Sequence, residues 1–144
     1  MTWATERLDA IMTPGFVPPR IVQRLGLGLL DDWGPGWVRK EWRPDAEDLK
    51  MADDSVFGGY IAALADQVLA FAAMTVVPDD CWCRTTDLQV RFVKVARNHP
   101  LRIEGRVLAA TRRLITVEAD FHRPDGVLVA KASAQQILLP KGET

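Results

Sequence analysis

Asp66 stands in the middle of Tyr60-Ile61-Ala62-Ala63-Leu64-Ala65-Asp66-Gln67-Val68-Leu69-Ala70-Phe71-Ala72-Ala73-Met74, a run otherwise apolar except for Gln67. An ionised carboxylate is costly to bury without compensation, and aspartate is a poor residue for a helix interior. Helix stability therefore does not explain it, and chemical work is the economical explanation. The other reading is a solvated or salt-bridged acid at a gap in the surrounding structure. Just before the run lies Gly58-Gly59. Free backbone N–H groups at a helix N-terminus, with the helix dipole behind them, stabilise a developing negative oxygen. Glycine lets a reactant approach that backbone closely. The alternative for the pair is a tight loop that needs positive φ.

These residues need elements to hold them. Tyr60 to about Thr75 reads as a long helix with six alanines among Leu, Met, Gln and Phe, ended by Val77-Pro78. It is too short to cross a bilayer and carries Asp66 and Gln67 at its centre, so it reads as a helix buried within a protein. Downstream the period changes to alternation, as in half-buried antiparallel strands. Leu88, Val90 and Phe92 alternate with Gln89 and Arg91, and Leu101, Ile103 and Val107 with Arg102, Glu104 and Arg106. Ile115, Val117, Ala119 and Phe121 follow the same rule, and a final strand runs from Val127 to Leu139. Asn98-His99-Pro100, the stretch around Thr111-Arg112-Arg113, and Pro124-Asp125-Gly126 supply the turns.

Upstream, residues 4–12 form a short amphipathic helix with Leu8, Ile11 and Met12 on one face, stopped by Thr13-Pro14-Gly15. Prolines and glycines then punctuate the chain, with a short helix expected over Arg20–Leu25 and a strand over Trp37–Trp42. Residues 44–57 read as an acidic loop. A helix apolar on every side must be enclosed, and the strands enclose it if their sheet curls round it. The pattern is an α+β domain of hotdog architecture, one domain over 1–144, with residues 1–36 as an N-terminal helix and irregular segment and 37–139 as the core.

The chain has 144 residues, 48% hydrophobic and 26% charged, which describes one soluble domain. Its 18 basic and 19 acidic residues leave a net charge of -1, which gives no electrostatic reason to expect nucleic acid. The N-terminus lacks the order of a signal peptide, so a cytoplasmic location is expected and no membrane partner. Cys81 and Cys83 are one residue apart, too close for an unstrained disulfide, and are expected to be reduced thiols. No histidine or second cysteine pair stands at matching spacing, so neither metal nor cofactor is expected.

Three segments together, Phe57-Gly58-Gly59 through Asp66, Thr85-Thr86-Asp87-Leu88-Gln89-Val90-Arg91-Phe92, and Asp125-Gly126-Val127-Leu128-Val129-Ala130, resemble the phenylacetate-pathway (PaaI-like) hotdog thioesterases. The resemblance covers roughly residues 38–139. Its most specific element is an acid seven positions beyond the second glycine. It implies hydrolysis of an acyl-CoA thioester of a small aryl or aliphatic acid. Asp66 is then base or nucleophile, Gly58 or Gly59 the oxyanion donor, and Thr85 a hydroxyl that orients water or the carboxylate. It also implies sites shared between subunits of a homodimer, or of a dimer of dimers. Phe57 sits where many members have histidine, and Met51 near where many have asparagine; Asp53, Asp54 and Ser55 are the polar residues at hand to stand in.

For the anionic phosphates of CoA the candidates are Lys94, Arg97, Arg112 and Arg113. Phe71, Met74 and the Trp-rich N-terminal segment are available for an acyl pocket, and Phe57 is a further substrate-binding candidate. A hydratase would need a catalytic histidine, and His99 and His122 fall away from the glycine pair. A reading from another class is a non-catalytic acyl-CoA or small-ligand binding module, favoured by Met51 and Phe57.

Overall fold

The computed structural model describes residues 1–43 and 49–142; of the acidic loop expected over 44–57, residues 44–48 lie outside the described residues. Thr2 caps the first helix, α1 (Trp3–Met12), in a reciprocal box with Thr5, and Ala4, Leu8 and Ile11 form its buried stripe. Next come α2 (Arg20–Leu25), β1 (Asp32–Gly34) and β2 (Trp37–Trp42), then α3 (Gly58–Met74). Four long strands complete the chain: β3 (Cys81–Phe92), β4 (Leu101–Ala110), β5 (Leu114–His122) and β6 (Leu128–Pro140).

All six strands form one antiparallel sheet in the order β1-β2-β4-β5-β6-β3. β4, β5 and β6 are the expected meander, but β3 returns across the sheet to pair with β6 and becomes an edge. That strand begins at Cys81, well before the alternation that starts at Leu88. Its first half shows no in-out pattern of burial, and a register shift interrupts it between Thr85 and Asp87.

The inward face carries Ile103, Gly105, Val117, Ala119, Phe121, Ala132 and Ala134, against which α3 packs Ile61, Leu64, Val68, Leu69 and Ala72. Burying each of the larger side chains contributes roughly 1.5–3 kcal/mol. Helix and sheet are in tight contact at Gly105, where a Cβ would lie 2.9 Å from Val68 and 3.1 Å from Val38. On the outer face Arg106 and Lys131 pair with Glu118 and Asp120 in a half-exposed network.

Two expectations about α3 change. It starts at Gly58, so the glycine pair forms its first turn, and neither glycine has positive φ, which removes the tight-loop reading. Nor is the helix enclosed on every side. Gly59 and Asp66 are exposed, and Ala62, Ala63, Gln67, Ala70, Phe71 and Met74 are half-buried.

The flank of α3 beyond β2 is held by a strap, residues 26–28, whose three carbonyls are all taken by side chains. Tyr60 Oη donates to Gly26 at 3.0 Å, with Trp42 Nε1 on the same oxygen at 3.2 Å. Lys40 Nζ donates to Leu27, and Gln67 Nε2 to Gly28 at 2.8 Å. Gly26 and Gly28 have φ of 60° and 71°, which β-carbons disfavour, so the backbone can turn its oxygens inward. Lys40 also donates to Gln67 Oε1 at 2.7 Å. Strand alternation places it inward between Val38 and Trp42, only 2% exposed.

Gly105→Val fills the close approach and is expected to destabilise the protein by about 1–3 kcal/mol through overpacking, read as a lower melting temperature. A second expectation concerns Lys40, whose ammonium burial pushes from an ordinary 10.5 down to about 8, against the pull of Asp31. Below about pH 8 the amine is charged folded and unfolded alike; between about 8 and 10.5 the unfolded chain holds a proton that the folded chain does not. Stability from this group therefore rises with pH across that window. In urea unfolding, wild type should gain on Lys40→Met as pH increases, by at most about 1.4 kcal/mol per pH unit; a constant gap would contradict the assignment.

Candidate functional site

Asp66 lies where the exposed stripe of α3 meets the open edge of the sheet. Its Oδ1 accepts a hydrogen bond from Thr85 Oγ1 at 2.9 Å. The same Thr85 oxygen accepts from Gln136 Nε2 at 2.8 Å, so a chain of two bonds runs from β6 through β3 to the helix. Thr85 and Asp66 are exposed, whereas Gln136 is 1% exposed.

Strand alternation alone would not put Thr85 there. Leu88, Val90 and Phe92 face the helix side, opposite Ala134, Ala132 and Ala130, and a regular strand would bring Thr86 to that side. The register shifts between Thr85 and Asp87: Thr85 pairs with Gln136 and Asp87 with Gln135, leaving Thr86 as the extra residue. Thr86 turns to Gln135 O at 3.3 Å. This β-bulge re-aims Thr85 at Asp66. Thr85 and Thr86 do diverge as expected, but through the bulge.

At the N-terminus of α3, Val56 N–H bonds Ala96 O and Phe57 N–H bonds Leu49 O, which anchors the entry to the helix. The Gly58 and Gly59 amides begin the first turn, where no carbonyl one turn back can receive them. Aromatic rings flank the pair. A Cβ at Gly58 would lie 3.2 Å from Phe92, and one at Gly59 2.7 Å from Phe57. A cleft of about 280 Å³ runs beside Gly58, lined by Ser55, Ile61, Phe92, Lys94 and Val129 among others.

The four basic candidates do not gather in one chain. Lys94 N–H bonds Val129 O, whereas Arg113 O receives Leu138 N–H. Nine residues of β6 separate those points, roughly 30 Å of strand. Arg97 donates to the Asp53 carbonyl. The Asp53 carboxylate accepts from the Ser55 amide and hydroxyl, which with Arg97 nearby holds it below the usual carboxylate range. Asp53, Asp54 and Ser55 thus stand at the helix N-terminus, not beside Asp66 of the same chain.

The tryptophans do not form one pocket either. Trp3 bonds Cys81 O, Trp33 bonds Asp9, and Trp42 bonds Tyr60. Phe71 and Met74 are half-buried on the helix. Cys81 and Cys83 are free thiols, both pushed upward mainly by burial. Among the described residues no cluster of three His, Cys, Asp or Glu could hold a metal, and no helix is long and apolar enough to cross a membrane. The residue that sequence reasoning missed is Gln136; the signal was an amide in the row Ala130, Ala132, Ala134, Gln136, Leu138, which is otherwise apolar.

Residues 54–130 match the thioesterase superfamily. The chain belongs to that family. An esterase-named protein of Saccharolobus solfataricus is 32% identical over 97 residues, 67% of this chain and 68% of that protein. In structure, a thioesterase from Ralstonia eutropha described as related to phenylacetic acid degradation aligns over 94% of this chain and 99% of its own. The TM-score is 0.79 at 24% identity. A Streptococcus mutans protein bound to acetyl CoA aligns over 78% of this chain and 88% of its own, with TM-score 0.71 and 20% identity. The fold is the hotdog fold of thioesterases, and the protein is a hydrolase of thioester bonds.

Within this thioesterase the Gln136–Thr85–Asp66 chain has a measurable weight. Thr85→Val keeps the shape but strips Gln136 of its acceptor, leaving a buried amide donor unpaired. The expected loss is about 1–3 kcal/mol in urea unfolding; an unchanged midpoint would show that the amide is satisfied otherwise.

Proposed function

We propose that this thioesterase hydrolyses acyl-CoA esters of small acids in a site that two copies of the chain complete together, with Asp66 as base or nucleophile. The observation that carries the reading is the place of Asp66. It shares the exposed face of α3 with Gly59, two turns on, with one oxygen held by Thr85. Eight residues of helix separate Gly58 from Asp66, about 12 Å. A reacting carbonyl must lie within about 3 Å of both the oxyanion donor and the attacking group. One chain cannot supply both.

A second copy can. β3 is a twelve-residue strand with one edge unpaired, the kind of surface that recruits another strand. If two such edges pair antiparallel about Gln89, with Thr86 again the extra residue, Phe92 of one copy falls opposite Thr85 of the other and the helix-side residues of both copies share one face. Gly58, which abuts Phe92, then arrives beside Asp66. In the same arrangement Lys94 of one copy approaches the end of the sheet that carries Arg112 and Arg113 of the other, which joins cations separated within a chain. Such a group suits the phosphates of CoA, and the acetyl CoA bound to the Streptococcus mutans relative supports that ligand.

In this reading a Gly58 or Gly59 amide polarises the thioester carbonyl and stabilises the oxyanion as the C–S bond weakens. The Asp66 carboxylate either takes a proton from the attacking water and returns it to the leaving sulfur, releasing acid and CoA thiol, or attacks the carbon itself and expels CoA thiolate. The second route leaves a mixed anhydride that water hydrolyses to the acid and the free carboxylate, the proton set free passing to the thiolate. Phe57 and Phe92, on either side of the glycines, keep water from the amides.

The test uses complementing chains. Asp66→Asn is expected to lower thiol release by at least about a hundredfold. Gly58→Pro removes one N–H at the first helical position, where proline is tolerated, and Phe57 already has the extended φ and ψ, -57° and 129°, that a following proline requires. Gly58→Ala keeps the amide and controls for the added carbon. Asp66→Asn and Gly58→Pro should each be nearly inactive alone and Gly58→Ala active; a Gly58→Pro that keeps its activity would assign the donor to Gly59. Coexpressed, the two inactive variants form mixed dimers with one intact site, recovering about a quarter of wild-type turnover if mixing is random. No recovery would sink the shared site. Wild type that binds acyl-CoA but releases no thiol would favour the silent binding module instead.

A further inference from the structure

The inward face of β6 reads Ala130, Ala132, Ala134, Gln136, Leu138, all buried. An amide in that row is costly unless bonded, and a leucine or methionine would pack there without that cost. Gln136 is placed for its bond to Thr85, in register beside it. The direction of the bonds is set by what each group can do. An ionised Asp66 can only accept, so the single Thr85 proton must point to it; Thr85 can then only accept from its other neighbour, which must present N–H. Gln136 does so.

The three groups also differ in how firmly they are held. Asp66 is exposed, and Thr85 sits at a bulge on an edge strand. Gln136 lies on a strand bonded on both sides, between β5 and β3. We infer that Gln136 is a positioning residue of the thioesterase: through the Thr85 hydroxyl it fixes the carboxylate of Asp66 by Oδ1 and leaves Oδ2 for the reaction. This rests on the role proposed above for Asp66.

The test is a kinetic cycle on the full-length protein, with thiol release from a short-chain acyl-CoA measured for wild type, Gln136→Met, Thr85→Val and the double variant. Gln136→Met is close in volume and apolar in an apolar row, so it should fold, and near-ultraviolet circular dichroism checks that it does. If the residue positions Asp66, kcat falls about ten- to a hundredfold while KM stays within about twofold. The double variant is then no slower than Thr85→Val, because Gln136 acts only through that hydroxyl. Gln136→Glu is the polarity control. Its carboxylate accepts from Thr85 and draws the proton away from Asp66, so it should be at least as slow as Gln136→Met; where it fails to fold, the methionine cycle decides alone.

Gln136→Met that keeps wild-type kcat, or losses that multiply in the double variant, would overturn the inference while leaving the thioesterase role of Asp66 intact. Wild type without thiol release from any acyl-CoA would overturn both.

Discussion

A single sheet can cover only the part of a helix that it wraps. Here the sheet ends at β3, and the strip of α3 beyond it stays open. Close packing sets the rest of the arrangement: Gly105 admits Val68 to the floor of the sheet, which fixes how deep the helix sits and therefore which residues emerge at the rim. Asp66 emerges there beside β3, whose outer edge is unpaired among the described residues. The uncovered strip and the uncovered strand edge are two results of the same geometry, and the proposed site lies where they meet.

The opposite flank of the helix is closed by different means. Among the described residues no strand covers it; a strap with three committed carbonyls does, gripping Tyr60 in the first turn and Gln67 next to Asp66. The N-terminal third of the chain thereby helps set both the axial and the rotational position of α3. A buried lysine is an expensive pin, since removing an ammonium from water opposes folding. It is tolerated because Leu27, Gln67 and Asp31 surround it with oxygen.

Asp66 stands in an apolar run of sequence, but its carboxylate is not buried in the folded chain. Asp66 is exposed in the single chain, so no desolvation has to be explained there. Spacing carries a different kind of information. Glycine and acid seven residues apart lie on one helical face whatever covers it, because seven residues make about two turns. For the basic residues the spacing carries no such information, since a linear chain cannot show that Lys94 and Arg113 stand at opposite ends of one strand of the same copy.

Local rules written into neighbouring residues were enough for the elements. Thr2 and Thr5 start α1, Gly26 ends α2, Gly126 with φ of 87° turns the last hairpin, and inward and outward residues alternate along β4, β5 and β6. Each depends on contacts a few residues apart. Three things depended on the tertiary structure: the return of β3 to the edge beside β6, the bulge that turns Thr85 inward, and the buried amide of Gln136 behind it. All three arise from pairing between segments some fifty residues apart, and strand pairing at that distance is decided by which faces the assembled core must bury, a quantity no short stretch of sequence contains.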